Sequence, residues 1–116
     1  MKNDSFVKRL GYAISGIFSA LRTESSFKLQ TVAAFGMIGF MCWLRPTAIW
    51  WALVILTCGA VLGAELINTA LERIVDHLHP ETHPAIKIAK DCAAGAVLVL
   101  SLMAIAVFIA LLIANL

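Results

Sequence analysis

Residues 46–76 read PTAIWWALVILTCGAVLGAELINTALERIVD. The stretch Pro46–Ala64 carries no charge, and its 19 residues come close to the ~20 that a helix needs to cross a bilayer core. From Glu65 onward the character changes. Glu65, Asn68, Glu72 and Asp76 recur three and four residues apart, so they share one face of a helix. That stripe is ~16 Å long at a rise of about 1.5 Å per residue. A helix entering lipid near Thr47 therefore reaches the opposite boundary at Glu65–Ile67 and carries Glu72 and Asp76 beyond it. A lipid-facing carboxylate at such a depth costs up to ~3 kcal/mol on an insertion scale. Crowded carboxylates also repel one another unless a cation joins them. Hard oxygen donors in this arrangement suit Mg²⁺ completed by phosphate oxygens. A solvated helix end accounts for Glu72 and Asp76 but leaves Glu65 and Asn68 without a role.

Outward from this segment, two further stretches are free of charge: Leu29–Leu44, of 16 residues, and Cys92–Leu116, of 25. The first is short, and borrows Phe27 and the aliphatic stem of Lys28. Arg45-Pro46 makes a polar turn with a helix breaker, which folds the first two spans into a hairpin. Trp43, Trp50 and Trp51 gather around that turn, as tryptophans do at a membrane interface. The spacing predicts spans at about 28–45, 47–76 (with a cytoplasmic extension) and 87–115. Phe6, Leu10, Ile14, Ile17, Phe18 and Leu21 recur at helical spacing within residues 5–23, which predicts an amphipathic helix lying on the membrane surface.

Composition agrees with this layout. Of 116 residues, 61% are apolar and 14% charged, against roughly half and ~25% in an ordinary soluble domain. These figures argue against a soluble globular enzyme, a disordered tail and a coiled coil. One domain of this length cannot hide so much apolar surface in its own core, so it needs lipid, partner chains or both. The net charge of +2 is too weak to suggest nucleic acid. Residues 1–26 have no apolar run before a small-residue cleavage site, which argues against a cleaved signal peptide. Cys42, Cys58 and Cys92 lack ligand or disulfide spacing and read as apolar packers. Lys2, Lys8, Arg9, Arg22, Lys28, Arg73, Lys87 and Lys90 flank one side of the spans, and only Arg45 the other. The N-terminus and the loop before the third span are therefore expected in the cytoplasm, and the C-terminus outside.

A second polar segment, Lys87–Ala96, reads KIAKDCAAGA. Its small residues allow close helix approach, which would bring Lys90 and Asp91 level with the acidic stripe. Gly59 and Gly63 read as a packing pair facing away from the stripe. His77, His79 and His83 lack the spacing of a catalytic metal helix and read as loop residues.

The run Glu65, Asn68, Thr69, Ala70, Glu72 and Asp76 resembles the signature of the prokaryotic diacylglycerol kinase family, close to E-x-x-N-[ST]-A-x-E-x-x-x-D. Ala89-Lys90-Asp91 with its small-residue run, and Arg22-Thr23-Glu24 with Phe27, match two further blocks. The resemblance implies an all-α integral membrane lipid kinase: a surface helix plus three transmembrane helices per chain, assembled as a homotrimer in the bacterial cytoplasmic membrane. It implies transfer of the γ-phosphate of MgATP to the hydroxyl of diacylglycerol or undecaprenol, without a P-loop. Arg22-Thr23-Glu24 and Ala93-Ala94-Gly95-Ala96 lean toward the undecaprenol branch. By the same resemblance, Glu24 and Glu72 hold Mg²⁺ and Glu65 is the base. Asn68 and Lys90 orient phosphate oxygens, Asp76 and Asp91 support the nucleotide and fix Lys90, and Tyr12 lies near the adenine. The rival reading from another class is a small oligomeric transporter or channel using Glu65 and Asn68 as a cation site. A non-catalytic scaffold is a third, and it leaves Glu65, Asn68, Lys90 and Asp91 unexplained.

Overall fold

The computed structural model describes residues 1–116 as four helices: α1 (Phe6–Thr23), α2 (Ser25–Leu44), α3 (Ala48–Leu78) and α4 (Pro84–Asn115). The helices α2, α3 and α4 are long and apolar enough to cross a membrane, and α1 is the N-terminal helix outside that set. Ser5 starts α1, its hydroxyl accepting the Lys8 N–H at 3.3 Å. One face of α1 stays open, with Phe6, Leu10, Ile14 and Phe18 exposed and only Ala20 buried.

A single extended residue, Glu24, separates α1 from α2. Its N–H donates to the Ala20 carbonyl at 2.8 Å, and its carbonyl accepts from Lys28 at 3.1 Å. The first span therefore begins at Ser25, three residues earlier than expected, because the chain resumes its helix directly after the break. At the other end Arg45 adopts a left-handed conformation (φ 54°, ψ 55°), the only positive φ in the chain. Pro46 crowds the right-handed helical region for the residue before it, and the left-handed turn lets the chain reverse.

At about 1.5 Å per residue, the 31 residues of α3 are roughly 45 Å long, well beyond the ~30 Å of a hydrocarbon core. Its last third is the segment with the polar stripe. Helix α4 begins at Pro84, three residues before the expected start. His83 is its cap, with Nδ1 accepting the Ala85 N–H at 3.1 Å, and Pro84 takes the first helical position, where a missing N–H costs nothing.

Only 8 of 116 residues are buried. Met41, Val54 and Leu111 join α2, α3 and α4 near the Arg45 turn, with Phe40, Trp50 and Trp51 packed around them. Ala20, Phe27, Val61, Glu65 and Thr69, the other buried residues, stand toward the opposite end. Gly59 and Gly63 have no atom within 4 Å of where a side chain would begin, so this pair is not used for packing within the chain.

Candidate functional site

Glu65 is one of only two buried polar residues, 6% exposed. Val61, one turn earlier on α3, is buried beside it, and its polar neighbours are Gln30 of α2 and the carboxylates of Glu72 and Glu24. A carboxylate is thus enclosed where α2 and α3 meet, with two like charges near enough to repel it.

Beyond Glu65, the ends of α3 and α4 and the loop between them form a cavity of about 350 Å³. Glu72 and Asp76 line it from α3, Lys87, Lys90 and Asp91 from α4, and His79, Glu81 and His83 from the loop. Lys90 Nζ donates to Asp76 at 2.7 Å, so α4 does bring Lys90 level with the acidic stripe. Asp91 accepts instead from Lys87, at 2.6 Å. The helix explains that choice: residues four apart face each other, whereas adjacent residues such as Lys90 and Asp91 diverge by about 100°. His79 and His83 sit 6.0 Å apart between ring centres in an edge-to-face arrangement.

Asn68, between Glu65 and Glu72 on the stripe, has a side-chain oxygen that is buried and meets no hydrogen-bond partner. A buried acceptor without a donor costs about 1–3 kcal/mol, and it points to something that enters the site. Glu24 approaches from the α1–α2 break, where its side chain does not cap α2. It pairs instead with Arg73 of α3, Nη2 to Oε1 at 3.2 Å. Arg73 also donates to the Thr23 hydroxyl, and to that of Ser19 at 3.2 Å. Tyr12 stands apart from the cavity, its hydroxyl donating to Asp4 at 3.0 Å.

A second, apolar hollow of about 310 Å³ lies among α2, α3 and α4, lined by Met37, Val54, Val61 and Phe108 with Gln30 at its polar edge. Val61 and Gln30 border both this hollow and the surroundings of Glu65. Glu65 therefore stands between an apolar hollow and a charged cavity.

Nowhere do three or more His, Cys, Asp or Glu side chains converge to hold a metal. The donors are hard oxygens: the carboxylates of Glu72, Asp76, Glu81 and Asp91 line the charged cavity, while Glu24, which like Glu72 lies near Glu65, and the unpartnered Asn68 oxygen stand outside its lining. Such a set fits an ion that keeps water and takes phosphate oxygens for its remaining positions, as Mg²⁺ does, and does not fit an all-protein cage. The sequence reading found the stripe and Lys90 but passed over Gln30, Arg73, Lys87 and the loop residues His79 and His83.

Comparison with known proteins places the chain in a family. The pattern of the family described as prokaryotic diacylglycerol kinase matches residues 11–112. The chain is 37% identical over 100 residues to an undecaprenol kinase of Bacillus subtilis, covering 84% of this chain and 80% of that one. It is 40% identical over 97 residues to a diacylglycerol kinase of Synechocystis, covering 83% of this chain and 55% of that one. With a diacylglycerol kinase of Escherichia coli K12 it shares 32% identity over 99 residues, 85% of this chain and 81% of the relative. The chain belongs to the prokaryotic diacylglycerol kinase family.

Proposed function

We propose that this member of the prokaryotic diacylglycerol kinase family transfers the γ-phosphate of ATP to the hydroxyl of a membrane lipid at the cytoplasmic face of the bacterial inner membrane. The observation that carries the reading is the position of Glu65, between an apolar hollow and a cavity with the charges a nucleotide needs.

Glu24 and Glu72 would hold Mg²⁺, which neutralises phosphate charge when bound. Lys90 presents its ammonium to the phosphate oxygens, and Asp76 keeps that ammonium in place. Asn68 orients the phosphate end of the nucleotide. Asp91 acts on it at one remove, by holding Lys87 at the cavity wall. Glu65 accepts the proton of the lipid hydroxyl. Phosphoryl transfer asks for positioning and charge stabilisation more than covalent chemistry, and helix ends without a P-loop suffice for that. The acceptor is a long-chain alcohol of the diacylglycerol or undecaprenol type.

The sparse burial of the chain supports assembly as a homotrimer in lipid, with apolar faces shared between copies. Eight basic residues on one side of the spans support a cytoplasmic N-terminus and an external C-terminus. Membranes containing the full chain, given ATP labelled at the γ-phosphate and Mg²⁺, should yield labelled lipid on extraction with either diacylglycerol or undecaprenol added. Label in neither lipid would overturn the proposal.

A further inference from the structure

We propose that Arg73 is a positioning residue that sets the Glu24 carboxylate for metal binding. The inference rests on the reading of Glu24 as a Mg²⁺ ligand and adds a residue to it. Three observations converge on Arg73. Its guanidinium reaches across from α3 to three oxygens of one short segment: Ser19, Thr23 and Glu24. Those partners are 49 to 54 residues away in sequence, so the contact is tertiary rather than an accident of helix spacing. It is also the only hydrogen-bonded side-chain link between α1 or its Glu24 end and α3.

The backbone at Glu24 gives that link a purpose. Glu24 is the one extended residue between two helices, and a carboxylate at such a place ordinarily turns back to cap the following helix. Here it makes no such cap, and its Oε1 faces Arg73. The second oxygen, Oε2, makes no protein hydrogen bond or ion pair and is left for a ligand. A carboxylate with one oxygen tied to a protein donor and the other directed at a metal is the usual way an outer partner orients a ligand. Neighbouring positions on α3 serve both carboxylates. Glu72 turns to the cavity shared with α4, and Arg73, about 100° round the helix, turns to Glu24. Both proposed ligands are thereby referred to adjacent positions of one helix, and both lie near Glu65.

Charge alone predicts the opposite result from positioning. A guanidinium beside a carboxylate repels an arriving cation, so removing it should tighten metal binding if field strength decided the matter. Both side chains are a third to a half exposed, and water screens that repulsion. Orientation should win.

The test uses the full chain in lipid nanodiscs with a non-hydrolysable ATP analogue, and titrates Mn²⁺ by electron paramagnetic resonance. Arg73→Ala should weaken Mn²⁺ binding about tenfold, the low end for loss of an outer partner. Arg73→Lys should recover part of that loss. In a Glu24→Gln background, Arg73→Ala should add little further loss, because the residue acts through Glu24. The paired variant Ser19→Ala/Thr23→Val, which frays the α1 contact but keeps the ion pair, should bind Mn²⁺ like the wild type. If Arg73→Ala leaves Mn²⁺ affinity unchanged or tightens it while Glu24→Gln weakens it, Arg73 has no positioning role. Equal loss in Arg73→Ala and the Ser19/Thr23 variant would reduce Arg73 to a clasp for α1, and also overturn the proposal. If Glu24→Gln itself leaves Mn²⁺ binding intact, the ligand reading of Glu24 fails first.

Discussion

Replacing Glu65 by Gln changes one oxygen to an amide nitrogen and leaves shape, size and hydrogen-bonding capacity nearly intact. The enclosure around it makes this a clean experiment. Glu65 is 6% exposed, beside buried Val61, with Glu24 and Glu72 close enough to repel its charge. A neutral amide at that place relieves repulsion, so the variant should fold at least as well as the parent. Glu65 is not among the residues lining the charged cavity, and about two turns of α3 separate it from Glu72, about 10 Å at 1.5 Å per residue. Nucleotide affinity should therefore hold within about twofold. What the amide cannot do is accept the proton of an alcohol. Loss of a positioned base costs ~10²–10⁴ in rate, or about 3–5 kcal/mol at 1.36 kcal/mol per decade. The assay is kcat for lipid phosphorylation in mixed micelles at saturating ATP, Mg²⁺ and lipid, followed across pH. The variant should lose the acidic limb of the profile along with its rate. A variant that keeps most of its kcat and still shows that limb would remove proton acceptance from Glu65. Positioning of the hydroxyl would then be the better account, as a loose transition state allows.

Glu72→Gln should raise the Mg²⁺ concentration needed for half-maximal activity at least tenfold while the lipid KM stays within twofold, since an amide oxygen is a poorer ligand for a hard cation; unchanged Mg²⁺ dependence would exclude Glu72 as a ligand. A cysteine placed at the exposed Thr47, in a chain with Cys42, Cys58 and Cys92 replaced by Ala, should react with an impermeant thiol reagent from the periplasmic side. Labelling only from the cytoplasm would invert the topology and remove the cavity's access to ATP. Met41→Ala empties a fully buried position that joins three helices. Lipid surrounds the unfolded helices as well as the folded bundle, so the lost contacts weigh more than transfer from water, and a cost of about 2 kcal/mol is expected, the low end for such a truncation. Denaturant unfolding in micelles reads it, with kcat unchanged in the folded fraction.

How far the site was legible depends on the reach of each contact along the chain. The stripe of Glu65, Asn68, Glu72 and Asp76 needs only helical spacing, and the start of α3 beyond Pro46 needs only a breaker. The beginning of α4 was missed by three residues, because His83-Pro84 reads as loop, although it is a cap followed by a proline at the first helical position. Lys90 stands beside the stripe and pairs with Asp76, as the family resemblance implied, but the adjacent Asp91, expected to share that task, serves Lys87 instead. Arg73 counted only as a basic residue setting orientation, because nothing within one turn of it hints at Ser19, Thr23 and Glu24. The one available signal was indirect: Ser19 and Thr23, four apart, put hydroxyls on a shared face of α1, which otherwise offers apolar groups. His79 and His83 become wall residues only through the path of the loop, which no periodicity encodes.

The arrangement along α3 explains how a chain with so little interior could support this chemistry. Val61, Glu65, Asn68 and Glu72 follow one another at steps of three and four, so hollow, proposed base, unpartnered amide oxygen and proposed metal ligand occupy successive turns of one rod. Relative placement along that axis is set by backbone hydrogen bonds within the helix rather than by loops or by a packed core. Lateral placement is the weaker element, and it is there that the chain uses charge pairs: Lys90 to Asp76 between α4 and α3, and Arg73 to Glu24 between α3 and the α1–α2 break. Both pairs stand outside the apolar stretches, where water softens their energy and salt can loosen them. High ionic strength should therefore disturb the proposed site before it disturbs the spans, because the apolar contacts of Met41, Val54 and Leu111 at the other end carry no charge to screen.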